Sequence, residues 1–297
     1  MQLVLVSGLS GSGKSIALDV LEDSGYYCVD NLPATLLLEV VRFLRDGGYP
    51  RVAVSVDARS VALSSLPQQL AEVKALGAET RVLFLEAGTE ALLRRFAETR
   101  RSHPLAGPES AARLTLAEAI ERERGLLAGL SELGHRIDTS NLQPRVLHQW
   151  IKELVGAGEG ALTLLFESFA FRDGIPLDAD WVVDARMLPN PHYQPGLAAL
   201  TGRDAPVIEF LEGDTLVRAF LEDLRAFLAR WLPEVRRDNR SYLTVAIGCT
   251  GGRHRSVYLA ERLAQSFGAD WRVLVRHRAL AGLADTADRD AQPGATG

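Results

Sequence analysis

Lysine is nearly missing from this chain: of 33 basic residues only Lys14, Lys74 and Lys152 are lysine, and the rest are arginine. Cysteine is almost as scarce. Cys28 and Cys249 stand far apart, so no disulfide framework of the kind that staples small secreted domains can form. No apolar run approaches the roughly 20 residues of a membrane helix. The apolar stretch Leu3 to Val6 is short and lacks the basic flank of a secretory leader. The formal net charge of -5 provides no general attraction for nucleic acid. With 47% hydrophobic and 24% charged residues, the composition is that of an ordinary globular protein. These absences predict a cytoplasmic protein with no membrane partner, and 297 residues allow two domains.

What is present is an alternation of short apolar runs with amphipathic stretches. Gln2 to Ser7 reads as a buried strand, and Ser15 to Gly25 as the helix after it. Strands are also expected at Tyr26–Val29, Val52–Val56, Val82–Leu85 and Arg136–Ser140. A helix is expected from Pro33 to Gly47, and a long arginine-rich helical region from about Glu90 to Leu133. Gly156 to Gly160 reads as a linker, after which the pattern restarts. Strands are expected at Leu162–Phe166, Trp181–Val183, Leu243–Ile247 and Trp271–Val275, with helices from Asp214 to Trp231 and from Ser256. Alternating strands and helices require crossover connections, so the expected fold class is α/β with parallel sheets. The expected domains are residues 1–155, a P-loop kinase-like nucleotide-binding domain, and 161–280, a smaller α/β domain. Residues 285–297 are polar and read as a disordered tail.

Gly8-Leu9-Ser10-Gly11-Ser12-Gly13-Lys14-Ser15 fits the phosphate-loop pattern G-x-x-x-x-G-K-[ST] at every fixed position, between an expected strand and an expected helix. The glycines let successive amide N–H groups turn toward phosphate oxygens, and the helix adds the positive end of its dipole. Lys14 is placed to reach the β- and γ-phosphates of ATP or GTP, and the Ser15 hydroxyl to ligate magnesium. Asp57 ends the apolar strand Val52–Val56, where a second magnesium ligand belongs, and Asp30 ends the strand before it. Either aspartate could instead belong to a turn. Arg94, Arg95, Arg100 and Arg101 read equally as a phosphate-covering lid or as a solvated helix face.

A second glycine loop, Cys249-Thr250-Gly251-Gly252-Arg253-His254-Arg255-Ser256, also lies between a strand and a helix. Its C-x5-R-S spacing matches the anion grip of cysteine phosphatases. Gly248 stands where those enzymes usually carry histidine, so a bound phosphate is the stronger expectation and a thiolate nucleophile the weaker. The run Asp184 to Tyr193, with two prolines and a histidine, follows a strand and reads either as part of a ligand crevice or as a structural loop.

Together these segments resemble the RapZ family of bacterial RNase adapters and P-loop nucleotide-binding proteins. The resemblance also rests on Tyr27-Cys28-Val29-Asp30-Asn31-Leu32-Pro33, on Arg100-Arg101-Ser102-His103-Pro104-Leu105, and on Ser168-Phe169-Ala170-Phe171-Arg172-Asp173-Gly174-Ile175-Pro176. It runs from Met1 to about Arg278. It implies ATP and GTP binding with weak hydrolysis, guanine-nucleotide contacts at Asp57-Ala58-Arg59-Ser60, and a C-terminal domain that oligomerises. That domain is implied to sense a phosphorylated amino sugar, glucosamine-6-phosphate, at Cys249 to Arg255. Relatives that bind small RNAs end in a strongly basic segment, whereas here Arg276-His277-Arg278 gives way to a tail with Asp285, Asp288 and Asp290. Phosphate contacts dominate RNA affinity, so this departure argues against RNA binding. The competing readings are a small-molecule kinase and an RNA adapter that uses nucleotide only as a switch.

Overall fold

The computed structural model describes residues 1–60, 62–106, 114–155, 162–237 and 242–281. The linker expected at 156–160 and the tail expected at 285–297 lie outside the described residues. The chain is α/β and divides into two compact units, Met1–Glu159 and Gly160–Gly297, each with its own core.

In the first unit the strands are β1 (Gln2–Gly8), β2 (Tyr27–Val29), β3 (Arg51–Ser55), β4 (Glu79–Glu86) and β5 (His135–Asp138). They form one parallel sheet in the order β2-β3-β1-β4-β5. The helices are α1 (Lys14–Asp23), α2 (Leu37–Asp46), α3 (Leu66–Ala75), α4 (Thr89–Thr99), α5 (Leu116–Ser131) and α6 (Pro144–Val155). Alternation along β1 divides its side chains between two layers. Leu3 and Leu5 join a core with Leu37, Val41, Leu66, Leu70 and Ile120, while Val4 and Val6 are buried on the opposite face. Each such fully buried aliphatic side chain contributes about 1.5–3 kcal/mol relative to exposure.

The arginine-rich helical region expected from about Glu90 to Leu133 holds two helices: α4 stops at Arg100, which takes the left-handed conformation (φ 51°), and α5 starts after Thr115. Thr115 and Glu118 form a capping box, in which the threonine oxygen accepts from the Glu118 amide and the Glu118 carboxylate accepts from the Thr115 amide. Helix α3 is absent from the expectations, although Leu66, Leu70 and Val73 bury one face at helical spacing.

In the second unit β6 (Thr163–Ala170), β7 (Trp181–Asp184), β8 (Tyr242–Cys249) and β9 (Arg272–His277) form a second parallel sheet, ordered β7-β8-β6-β9. Helices α7 (Ala205–Gly213), α8 (Thr215–Arg237) and α9 (Arg255–Phe267) belong to it. Helix α7 was not anticipated, and α8 runs past the expected end at Trp231, continuing through Pro233. The register pairs Ala170 with Cys249 and Asp184 with Gly248, so the ends of β6, β7 and β8 are level. Among the described residues no helix is long and apolar enough to cross a membrane.

Candidate functional site

The order of the first sheet reverses direction beside β1, and the carboxyl end of such a strand is where open parallel sheets receive ligands. The phosphate loop begins there. Gly8 ends β1 with φ 139°, and a Cβ on it would collide with the Leu85 carbonyl of β4. Gly13 has φ 106° and precedes α1, where a Cβ would meet Leu147 Cδ2 at 2.7 Å. Glycine at these positions lets the loop close against β4 and α6. Helix α1 then starts at Lys14 with no side-chain cap, leaving its first-turn amides directed at the loop.

The Lys14 ammonium donates to the Gly8 carbonyl at 2.5 Å. Burial lowers its pKa, against the pull of three carboxylates, Glu123, Asp57 and Asp30. Two of these were anticipated. Asp57 is held by its own loop: Oδ1 accepts from the Arg59 amide at 2.9 Å, and Oδ2 from the Arg59 guanidinium at 2.9 and 2.6 Å. Ala58 is buried in the core, and the Ser60 hydroxyl accepts from the Ala34 amide at 2.5 Å. Asp30 accepts from the Ser55 hydroxyl, which itself accepts from the Asn31 amide at 2.8 Å. The structure therefore gathers Lys14, Asp57 and Asp30 at one place. Ser15 lies exposed in the first turn of α1.

Among the described residues no group of three His, Cys, Asp or Glu side chains is arranged to hold a metal. Magnesium on a nucleotide needs no such cage, because phosphates and water supply most of its ligands. Ser15, in the first turn of α1 after β1, and Asp57, just past the adjacent strand β3, are both at the carboxyl end of the sheet. The Ser12 hydroxyl is buried with no hydrogen-bond partner among the described residues, a polar atom inside the loop itself.

Three residues that the motif does not contain complete the loop's support. Arg95 of α4 donates to the Gly11 carbonyl and the Thr139 hydroxyl, each at 3.0 Å, and also to the Thr139 carbonyl. Thr139 in turn donates to the Ser12 carbonyl at 3.0 Å. Arg95 is thus a brace between loop and sheet and not a free lid arginine; Arg94, Arg100 and Arg101 are exposed. Glu123 of α5 accepts from the Ser10 amide at 2.8 Å and from the Ser10 hydroxyl at 2.7 Å. The legible signal for Glu123 was a charge on an apolar stripe, since Ile120, Leu127 and Leu130 share its buried face.

In the second unit the loop from Cys249 opens α9, and the level strand ends bring it beside the Asp184 loop. The Arg255 side chain is buried and Nη1 donates to the carbonyls of Arg186 and Leu188 at 2.8 and 2.9 Å. Its Nη2 lies 3.5 Å from the Thr250 hydroxyl, and its Nε is buried with no partner among the described residues. Arg253 donates to the Ala199 carbonyl at 2.8 Å, and His254 Nε2 contacts the Leu197 carbonyl at 3.1 Å. A carbonyl only accepts, so that nitrogen carries the proton. Burial lowers the pKa of His254, against the Leu197 contact, which raises it. These three side chains therefore clamp neighbouring loops, leaving Thr250 and Gly251 as the open part of the turn, while Gly252 is buried against Ala170 and Ala279. The Cys249 thiol sits 3.2 Å from the Ser256 hydroxyl. Burial raises its pKa, but Ser256, Arg255 and the Gly252 amide together bring it below the ordinary value. Gly248 is explained by packing: a Cβ there would run into the rings of Phe169 and Phe171. Arg276 of β9 is buried, and Arg278, just past the strand, lies 3.3 Å from Glu167.

Comparison with known proteins covers both units. The family model described as the RapZ-like N-terminal domain matches residues 1–159, and that of the RapZ C-terminal domain matches residues 162–281. A nucleotide-binding protein of Methylobacillus flagellatus is 57% identical over 281 residues, covering 94% of this chain and 99% of its own. One from Aromatoleum aromaticum is 59% identical over 284 residues, covering 95% and 96%. Among solved structures, a shikimate kinase from Bacteroides thetaiotaomicron aligns with TM-score 0.36 and 13% identity, over 52% of this chain and 98% of that one.

Proposed function

The chain belongs to the RapZ family, and from that premise we propose that it is a regulatory protein that binds ATP and GTP in its first unit and hydrolyses them slowly. The second unit, in this reading, senses a phosphorylated amino sugar, glucosamine-6-phosphate. The observation that carries the nucleotide reading is Lys14: a half-buried ammonium at the mouth of a glycine loop, directly ahead of an uncapped helix N-terminus. Burial makes this cation ready to exchange its carbonyl contact for a phosphate.

Loop amides from Gly11 to Ser15 would bind the phosphates, and Lys14 would neutralise the β/γ pair. Ser15 and Asp57 would hold magnesium, which supplies further neutralisation of charge developing on the transferred group. Arg59, fastened to Asp57, would orient that carboxylate and bring Asp57 to Ser60 toward the base. In the second unit, the turn from Thr250 to Gly252 and the start of α9 form the anion seat, while Arg255 keeps the Asp184 loop alongside. A nucleophilic role for Cys249 is disfavoured, because the residue is only 2% exposed although its thiol pKa is lowered. The protein would work in the cytoplasm as a homo-oligomer. RNA is a weaker partner, since Arg276 and Arg278 face Glu167 within the unit.

Calorimetric titration of ATP and GTP into wild type and Lys14→Ala, with and without glucosamine-6-phosphate, tests the reading. Nucleotide binding to wild type with at least about a hundredfold loss in the variant is expected, the size of a lost charged contact in a dry site. Equal affinity in the two proteins would remove the phosphate loop from the account.

A further inference from the structure

Glu123 is a carboxylate where α5 calls for an apolar side chain, and three separate parts of the first unit meet on it. It holds the phosphate loop through both the amide and the hydroxyl of Ser10. It also meets His103, from the segment that follows α4, with Nε2 3.1 Å from Glu123 Oε2. The tautomer of that histidine is set by a third contact: the Leu105 amide donates to Nδ1 at 3.1 Å. An accepting Nδ1 leaves the proton on Nε2, so His103 donates to Glu123. Both side chains are almost wholly enclosed, and the ring of Phe96 lies 5.3 Å from that of His103.

Burial alone would push the Glu123 carboxyl up, but His103, Ser10 and the Lys14 charge outweigh it and hold the group below its usual value. Of the three carboxylates acting on Lys14, Glu123 acts most strongly. The other two are tied elsewhere, Asp57 by three bonds to Arg59 and Asp30 by Ser55. A carboxylate has about four acceptor positions. Two donors on Oε2, from Ser10 and His103, and one on Oε1, from Ser10, leave Glu123 one position on Oε1, in a group near enough to Lys14 for their charges to act on each other.

We infer that Glu123 is the proton acceptor for the water that attacks the terminal phosphoryl group, with His103 and Ser10 as its positioning residues. This rests on the nucleotide reading above. In the step, the water oxygen bonds to the terminal phosphorus. The bond from that phosphorus to the bridging oxygen breaks, and the nucleoside diphosphate leaves with the electron pair. The water's proton passes to the Glu123 carboxylate, which then returns it to the phosphate as that leaves. Approach of the phosphate's negative charge raises the proton affinity of Glu123 at the moment the proton is released.

The test pairs nucleotide affinity with single-turnover hydrolysis in wild type, Glu123→Gln, Glu123→Ala and His103→Ala. Glutamine still accepts from the Ser10 amide but cannot take a proton. Glu123→Gln should therefore bind nucleotide within about threefold of wild type and hydrolyse it about 100-fold more slowly. Added formate should restore part of the rate to Glu123→Ala, an effect no loss of packing produces, and His103→Ala should lose about tenfold in rate at unchanged affinity. Turnover of Glu123→Gln within threefold of wild type overturns the inference. So does a parallel loss of affinity and rate with no formate rescue, which would make Glu123 a brace for Ser10. A wild type that binds nucleotide without turning it over defeats this inference alone. A wild type that binds none removes the nucleotide reading and this inference with it.

Discussion

At the scale of single residues, burial decides what a charge can do. Glu167 lies on the central strand β6, fully enclosed, opposite Arg276 in the register and 3.3 Å from Arg278. Burial and then the nearby Asp178 raise its pKa from 4.5 to about 8, against the opposing arginines. A carboxyl whose folded pKa lies above its unfolded one stabilises the fold below the unfolded value, and that stabilisation is lost as pH rises through the folded value. The melting temperature of wild type should therefore fall between about pH 5 and pH 8.5 relative to that of Glu167→Gln, by several degrees at roughly 4 °C per kcal/mol. Parallel melting curves across that range would mean that the arginines keep Glu167 ionised.

At the scale of elements, helices α4 and α5 act as the back wall of the phosphate loop. Helix α4 ends at Arg100, in a left-handed conformation, and α5 starts after its Thr115 cap. The turn at Arg100 lets His103 reach the buried face of α5. Helix α4 contributes Arg95, whose guanidinium ties Gly11 to Thr139 at the end of β5. Arg95→Ala should weaken nucleotide binding about tenfold by calorimetry, because the loop carbonyl loses a charged donor worth about 1.5–3 kcal/mol. The thermogram for glucosamine-6-phosphate should be unchanged. Undiminished nucleotide affinity would make Arg95 a stability residue only.

At the scale of the whole molecule, two units with separate cores let the proposed nucleotide and sugar-phosphate responses be measured separately. Nucleotide at a hundredfold excess over its Kd should add about 2.7 kcal/mol to the unit that binds it. In scanning calorimetry this gain should vanish in Lys14→Ala, whereas stabilisation by glucosamine-6-phosphate should persist. Where the two ligands influence each other, each must change the other's affinity by the same factor. Loss of both responses in Lys14→Ala would contradict the assignment of the two ligands to separate units.

What the sequence determined by itself is what is contiguous in it. Eight consecutive residues, Gly8 to Ser15, specify the glycine loop between β1 and α1, because positive-φ glycines and a following helix are local requirements. Alternating apolar runs specify parallel α/β sheets, since a buried strand and an amphipathic helix each need covering. Helix α3 is equally legible, in the spacing of Leu66, Leu70 and Val73. Tertiary structure alone decided which side chains meet. Ser10 and Glu123 are 113 residues apart, and Arg95 and Thr139 are 44 apart. No local pattern links such pairs, because their contact depends on how α4 and α5 pack on the sheet. The same holds for Arg253 and Arg255. Their spacing fits an anion grip, but side-chain direction follows from packing, and it turns both guanidiniums onto backbone carbonyls.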